Sequence, residues 1–399
     1  MTVTTSSGAI QAAPGQTKTA RGGGPGAPVG SRAARLTSFD PDAFGRPSGR
    51  EEEWRFTPLA RLGGLLDPLP AAEAPGITVS GQAELVTGST RTASGAGVLV
   101  PSDRISALAL AHAGITHTVR IPAESVLAEP AVITVIGPRT AGYAHLVIDV
   151  GVHAEAVVIV DHRGGGTLAA NTEIRVGDGA KLTFISVQDG DPDAVHVEAQ
   201  AALVGRDASF SSVVVTLGGD LVRLTPSVHF AGPGGSADLK GLFFTSAGQH
   251  HEHQLFVDHQ QPHCRSRVTY KGALQGEHAH SVWVGDVLIG ANADGTDTYE
   301  LNRNLVLTDG ARADSVPNLE IETGEVAGAG HASATGRFDD EQLFYLMARA
   351  IPEDLARRLV VRGFFAEILE AIDNEQLRDR LTTSVDALLS QQPPTGEHV

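Results

Sequence analysis

Short runs of valine, leucine and isoleucine alternate with turns of glycine, aspartate and alanine over about residues 80 to 335. Such runs, bounded by turn-forming residues, are typical of β-strands, and the 3.6-residue spacing of amphipathic helices is missing from this region. The pattern therefore predicts that most of the chain is built from short strands.

A five-residue turn motif recurs within this region. It reads Val-Gly-x-x-Ala at Val150–Ala154, Val176–Ala180 and Val204–Ala208, and a looser copy covers Ala231–Gly235. The second residues of these copies lie 26, 28 and 27 residues apart, and a further copy at Gly310 lies 78 residues beyond Gly232, or three repeats of 26. A repeat of this length with two β runs and no helix predicts a solenoid.

We therefore predict a mainly β protein whose core is a flattened parallel β-helix with two strands per coil. In this architecture each coil stacks on the previous one and pairs its backbone edges. The N-terminal region and a C-terminal helical segment are available as caps for the two ends of the stack. A jelly roll is the alternative architecture.

Composition divides the chain into four segments. Residues 1–36 are small and rich in Gly and Pro, which predicts a disordered tail, because such a segment cannot bury enough surface to offset its ordering entropy. Residues 37–95 form an N-terminal helical and irregular segment in which Trp54 packs on the main body. The β-helix core covers residues 96–336, and three apolar stripes at helical spacing predict a C-terminal helical domain over residues 337–399.

Charge and cysteine content exclude several classes of protein. Lys and Arg number 30 against 47 Asp and Glu, a net charge of −17, which disfavours binding to nucleic acid. The single cysteine, Cys264, excludes an intrachain disulfide and an all-cysteine metal site. No apolar run approaches the ~20 residues that span a bilayer, and the N-terminus lacks a signal-peptide pattern. We expect a cytoplasmic protein with no nucleic-acid or membrane partner.

Histidines are concentrated in one segment, at positions 250, 251, 253, 259, 263, 278 and 280, next to Cys264. One interpretation is a zinc or iron site like that of a cupin, since alternate residues of a strand share a face. The other is that these are polar positions on strand faces and turns, because their spacing matches no zinc finger or HExxH helix. Cys264 is either a nucleophile paired with a histidine or a small buried residue.

Several ordered segments of the C-terminal half resemble the SufB/SufD family of iron–sulfur cluster assembly proteins. They cover roughly residues 250 to 370, and the stretch Arg50–Leu59 is similar to the family's N-terminal part. The segments are Asp258–Ser266, Tyr270–Gly272, Asn302–Leu305, Pro317–Glu322, His331–Gly336 and Asp340–Leu346.

The resemblance implies a right-handed parallel β-helix flanked by helical ends. It also implies a non-catalytic scaffold that forms a heterodimer with SufB, binds the SufC ATPase, and supports cluster construction and iron acquisition. Within the family the chain is more similar to the SufD branch, since SufB proteins carry a cysteine near the C-terminal end of the β-helix and this chain has none there. The residues expected to pair with SufB, by addition of strand edges, lie at about 300–336.

His331 matches the family's histidine before the small-residue stretch that leads into the helices. Family members often have Cys-Ser-His here, whereas this chain has Gly328, Ala329, Gly330 and His331, so only the imidazole is carried over. The resemblance implies that His331 is a ligand of iron or of a transient iron–sulfur cluster shared with SufB, because one cysteine cannot supply the four ligands of a cluster. The alternative is a turn or capping residue.

The C-terminal stripes contain more apolar residues than a small helical domain needs. The resemblance implies that part of the set docks on SufC; the alternative is that all of it is internal core. The set consists of Leu343, Phe344, Met347, Leu359, Phe364 and Ile368. Two other functions remain for a β-helix: a polysaccharide-active enzyme, although no paired acidic motif is present, and a structural protein that polymerises end to end, which a helical cap would oppose.

Overall fold

The computed structural model of the chain describes residues 35–89, 97–338 and 340–390. Residues 1–34 of the predicted tail lie outside the described residues. Within the described residues, two nine-stranded sheets account for most of the structure.

Sheet A contains the even-numbered strands together with the first strand. In spatial order these are β1 (Gly76–Ser80), β4 (Ala131–Ile136), β6 (Glu155–Gly164), β8 (Lys181–Gly190), β10 (Ser209–Thr216), β12 (Ser236–Thr245), β14 (Arg265–Leu274), β16 (Thr296–Val306) and β18 (Val326–Arg337). All neighbours are parallel except β1, which is antiparallel to β4.

Sheet B contains the remaining strands. In spatial order these are β2 (Glu84–Ser89), β3 (Ile115–Ile121), β5 (Ala141–Val150), β7 (Thr167–Val176), β9 (Val195–Val204), β11 (Leu221–Phe230), β13 (His250–His259), β15 (His280–Ile289) and β17 (Arg312–Ile321). Here β2 is antiparallel to β3, and the rest are parallel. The chain alternates between the sheets, so the predicted parallel β-helix with two strands per coil is confirmed, as a stack of about 8 turns.

The recurring turn motif forms a ladder along one edge of the stack. Its fourth residue has a positive φ in successive coils, for example 54° at His153, 63° at Gly179, 53° at Asp207 and 57° at His263. The N–H of each donates to a carbonyl of the next coil, at 2.9 Å from His153 to Asp178 and 2.8 Å from His263 to Asp294. The turns are therefore hydrogen-bonded from coil to coil, as the strands are.

The predicted copy of this motif at Gly310 is wrong. Strands of sheet B begin at residues 195, 221, 250, 280 and 312, so the coil lengthens from 26 to 32 residues towards the C-terminus. Counting in steps of 26 therefore slips to the opposite edge, and Gly310 lies in the turn after β16. The residue that continues the series is Gly290, whose N–H donates to the carbonyl of His259 as that of Gly177 donates to Val150.

The interior between the sheets is filled by inward-facing valine, isoleucine, leucine and alanine, with aromatic rings in the middle coils. Two strand glycines make room for these rings. A Cβ on Gly241 would overlap the ring of Tyr270, and a Cβ on Gly272 would overlap the ring of Phe243. Glycine normally weakens a strand, and here the close approach of a neighbouring ring is the reason for its presence.

Both sheets also bury part of their outer faces. Trp54, Leu62 and Leu65 of the N-terminal segment, with helix α1 (Arg104–His112), pack on sheet B, so the predicted packing of Trp54 on the main body is confirmed. Helices α2 (Asp340–Met347), α3 (Glu353–Leu369) and α4 (Glu375–Ser390) form a core with the outer face of sheet A. The middle strands of sheet A are therefore buried on both faces.

The helices do not cap the end of the stack, contrary to the expectation from sequence. They cover the outer face of sheet A because residues such as Val213, Leu242 and Phe244 point outward there and need a covering layer. The last coil, β17 and β18, is paired on one side only. At the other end the antiparallel strands β1 and β2 close the stack, and they lie within the segment 37–95 that was expected to be helical or irregular.

We predict that Gly272→Ala lowers the free energy of unfolding by ~1–3 kcal/mol, because the new methyl group overpacks the core against Phe243. Gly336→Ala is the matched control, since this glycine of β18 has no atom within 4 Å of its Cβ position. We expect the control to change stability by no more than ~0.5 kcal/mol. Urea denaturation followed by circular dichroism measures both, and equal stabilities would contradict this account of the glycine.

Candidate functional site at the open coil

The open coil, defined as β17 and β18, ends the stack with exposed side chains. His331 lies in the middle of β18, opposite Glu300 of β16 in the parallel register. Directly paired residues of parallel strands point to the same face, with neighbouring strands ~4.8 Å apart. His331 is solvent-exposed, whereas Glu300 beneath it is buried.

The interior becomes polar as it approaches this end. The inward positions of β16 are Thr298, Glu300, Asn302 and Asn304, all of them buried. The paired positions of β14 beneath them are Ser266, Val268, Tyr270 and Gly272, which are mostly apolar or small. The last fully covered layer therefore presents hydroxyl, carboxylate and amide groups to the open coil.

Hydrogen bonds hold this polar layer in place. The Asn302 amide donates to the carbonyl of Tyr270 at 3.2 Å, and the Asn304 amide donates to the Asn302 side-chain oxygen at 2.8 Å. Asn304 also donates to the Thr335 hydroxyl of β18 at 3.2 Å. The face that carries His331 is thus fixed to the layer below.

The donor set at the open coil suits iron chemistry but is incomplete. An exposed imidazole and a buried carboxylate, in adjacent positions of one face, are N and O donors of the kind that bind Fe or Zn. A cluster or tetrahedral ion takes four donors, so the remaining ligands must come from another chain or from the cargo. This arrangement can support a shared and labile site.

Sequence reasoning missed Glu300. Its signal is the alternation in Thr296–Val306, where polar residues at 298, 300, 302 and 304 are separated by Tyr299, Leu301 and Arg303. Period-two alternation normally places the apolar set inside, and here the polar set faces the interior because the coil is the last one covered.

The histidines of residues 250–280 do not converge on one metal site. His263 and His278 occupy turns with φ of 57° and 63°. In β13, His251 and His253 face inward and lie 3.1 Å and 3.0 Å from the hydroxyls of Thr245 and Thr216. Burial lowers the pKa of both to about 3, so they are neutral at pH 7.

His250 points to the other face and belongs to a buried charged group that holds the N-terminal segment. Its Nε2 lies 3.0 Å from Glu252, which also accepts a hydrogen bond from Thr57 at 2.8 Å. The Arg223 guanidinium lies 3.3 Å from Glu252 and over the ring of Trp54 at 4.0 Å. Burial alone would raise the pKa of Glu252, but the hydrogen bond from His250 and the charge of Arg223 lower it.

Cys264 is buried, with its Sγ 3.5 Å from the carbonyl of Gly232. It occupies the last position of the turn motif, which is Ala154, Ala180 and Ala208 in earlier coils. Burial raises the pKa of its thiol, which opposes a role as a nucleophile. The interpretation of Cys264 as a small buried residue fits the structure.

The C-terminal apolar set divides into core and surface. Leu343 and Ile368 are 7% and 0% exposed and belong to the core between the helices and sheet A, so they are not contact residues for a partner. Phe364 is half-buried, 5.6 Å from the Lys271 ammonium. The exposed members, which we call the helical surface set, are Phe344, Met347 and Leu359, the first of them 74% exposed.

Comparisons with known proteins agree with this architecture. The family described as "SUF system FeS cluster assembly, SufBD core domain" matches residues 133–364. An iron-sulfur cluster assembly SufBD family protein of Mycobacterium tuberculosis is 53% identical over 367 residues, which cover 88% of this chain and 91% of the relative. The iron-sulfur cluster assembly protein SufD of Escherichia coli is 28% identical over 262 residues, 65% of this chain and 60% of that protein. Among the described helices, none has the length and apolar character required to cross a membrane.

Proposed function

This chain belongs to the SufBD family of iron–sulfur cluster assembly proteins, and we propose that it acts there as a SufD-type scaffold subunit. In this role it pairs with SufB, binds the SufC ATPase, and supports cluster construction and iron acquisition in the cytoplasm without catalysing a reaction itself. The iron–sulfur cluster is the cargo of the complex. The single observation that carries the proposal is the open coil, which presents His331 above a buried carboxylate.

The distribution of thiols supports the SufD assignment. The one cysteine of the chain is enclosed in the turn ladder before β14, and no cysteine lies in β16, β17 or β18. In the family resemblance, the thiol near this end belongs to SufB. This chain therefore contributes imidazole and carboxylate donors to a shared site, and its partner contributes the sulfur.

The free edges of the open coil support pairing with SufB. Unpaired N–H and C=O groups of a terminal strand are a template for the addition of another strand. A partner that ends in a similar coil would continue both sheets and enclose His331 and Glu300 between the two chains. Enclosure lowers the local dielectric constant and strengthens ligation.

The helical surface set supports docking of SufC. An exposed Phe344 beside Met347 and Leu359 leaves apolar side chains in water that the core of sheet A does not use. Aromatic anchors of this kind dominate the binding energy of protein interfaces. Family membership favours this reading over a polysaccharide-active enzyme or a polymerising β-helix.

For His331, we predict that His331→Ala leaves folding and SufB pairing intact but lowers the cluster yield per complex by roughly tenfold or more. The side chain is exposed and contributes little to stability, whereas it is a ligand in the proposed site. Reconstitution of the purified complex with iron and sulfide, followed by absorption spectroscopy, measures the yield. Ser333→Ala, on the same face of β18, is the control and should assemble clusters normally. A wild-type yield in His331→Ala would remove His331 from the site.

For the open edge, we predict that one of two consecutive proline substitutions, Ala332→Pro and Ser333→Pro, abolishes SufB pairing without loss of stability. The N–H groups of consecutive strand residues point to opposite edges, so one proline removes a donor to β16 and the other removes a donor at the free edge. The first should lower the free energy of unfolding by ~1 kcal/mol or more. Size-exclusion chromatography with SufB measures pairing, and retention of SufB by both variants would contradict edge pairing.

For the helices, we predict that Phe344→Glu weakens SufC binding by ~30-fold, equivalent to the ~2 kcal/mol of an interface hot spot. Because Phe344 is exposed, thermal unfolding should change little. Val152→Glu is the control, since it changes an exposed apolar residue in a turn of the β-helix. Calorimetric titration with SufC distinguishes the two; a variant that loses stability but binds SufC normally would assign Phe344 to the core.

A further inference from the structure

Three buried metal-ligating side chains converge inside the β-helix, far from the open coil. His162 lies in β6, and His196 and Glu198 lie two residues apart in β9, so that both point to one face. Six strands of sheet A separate β6 from β18, a distance of ~29 Å at ~4.8 Å per strand. The cluster is therefore separate from the site that contains His331.

The geometry of the cluster matches the ligand set of one ion. The Nε2 atoms of His162 and His196 lie 3.7 Å and 3.5 Å from the same Glu198 carboxylate oxygen, and the two ring centroids are 4.5 Å apart. A ligand atom of each residue lies within 4.8 Å of the others. Two ligands of a tetrahedral ion with bonds of ~2.1 Å lie ~3.4 Å apart, so these positions need only small movements to enclose one.

The imidazoles lack other hydrogen-bonding partners. His162 and His196 are each 7% exposed, and neither nitrogen of His162 nor the Nε2 of His196 has a hydrogen-bond partner among the described residues. Buried polar atoms normally have a partner, so three such nitrogens in one place call for an explanation. Burial lowers the pKa of His162 to about 4 and of His196 to about 3, which keeps both rings neutral and their lone pairs available.

The carboxylate is held in position from the other side. Thr172 donates to one Glu198 oxygen at 2.6 Å, and Gln200 donates to the other at 3.0 Å. Hydrogen bonds of this kind orient the ligands of metal sites. Gln188, the β8 neighbour of His162, has a buried side-chain oxygen without a hydrogen-bond partner in the described part of the chain, which is a candidate fourth donor.

A route to the cluster exists through the glycine-rich turns at this edge. A cavity of ≈ 30 Å³ is lined by His162, Gln188 and His196 together with the glycines at 164–166, 190, 218 and 219. This volume accommodates a water molecule or an ion. The exposed carboxylates of Asp191 and Asp193 lie beside Gly165 at the same turns, and their negative charge favours the approach of a cation.

We propose that His162, His196 and Glu198 bind one divalent first-row transition ion, Zn²⁺ or Fe²⁺, inside the β-helix. Two neutral imidazoles and one carboxylate are the ligands that these ions accept, whereas Mg²⁺ and Ca²⁺ prefer oxygen alone. The alternative is a purely structural polar cluster in the core.

The test uses the tag-free full-length chain, stripped of metal with a chelator. Titration with Co²⁺, followed by its visible absorption, should show one equivalent bound, and Zn²⁺ should displace it. His196→Gln and Glu198→Gln should each weaken Co²⁺ binding by at least ~100-fold, since they remove a direct ligand. His145→Gln is the matched control, because His145 is equally buried and faces a single carboxylate, Glu173, at 3.0 Å without a second imidazole. It should bind Co²⁺ as the wild type does.

A measurement on the wild type avoids dependence on the folding of the variants. X-ray absorption at the Zn edge should show nitrogen and oxygen neighbours at ~2.0–2.1 Å with imidazole scattering. A sulfur neighbour, the absence of stoichiometric Co²⁺ binding, or unchanged affinity in a folded His196→Gln would each overturn the proposal. His331→Ala should retain this ion, so failure of the shared cluster site and failure of the interior site give different results.

Discussion

The hydrogen bond from the backbone of one coil to the next is the interaction on which the rest of this structure depends. It joins the strands of both sheets, and left-handed turn residues such as His153 and Asp207 extend it along one edge. Each coil uses the groups that the previous coil leaves free. At the C-terminal end this pairing stops at β17 and β18, so the same interaction that builds the stack leaves a surface there that favours another chain.

The β-helix was predictable because its turn motif is local. A glycine, a left-handed position and a small buried residue recur within five residues, and these requirements are visible without tertiary contacts. The length of a coil is not local, so the series could not be followed to Gly290. The position of the helices was also out of reach: Leu242 and Phe244 lie in a strand buried on both faces, and a continuous apolar run does not reveal which layer covers it.

The candidate site shows the same division. His331 was found through the family resemblance, whereas Glu300 lies a full coil earlier and joins it only through the register of β16 and β18. His162 and Glu198 are brought together by stacking in the same way. Among the helices, an apolar stripe cannot distinguish Leu343, which faces sheet A, from Phe344, which faces solvent, because the two are adjacent and equally apolar.

A stack of coils allows polar groups in its interior because each coil contacts only its neighbours. The free-energy cost of burying Glu300 or Glu198 stays within its own layer, where local hydrogen bonds offset it. Between these layers, Phe243, Tyr270 and Trp283 supply apolar packing that depends on neither. Stability is therefore concentrated in the middle coils and ligand chemistry in particular layers, so a change at the open coil alters the site without unfolding the stack that positions it.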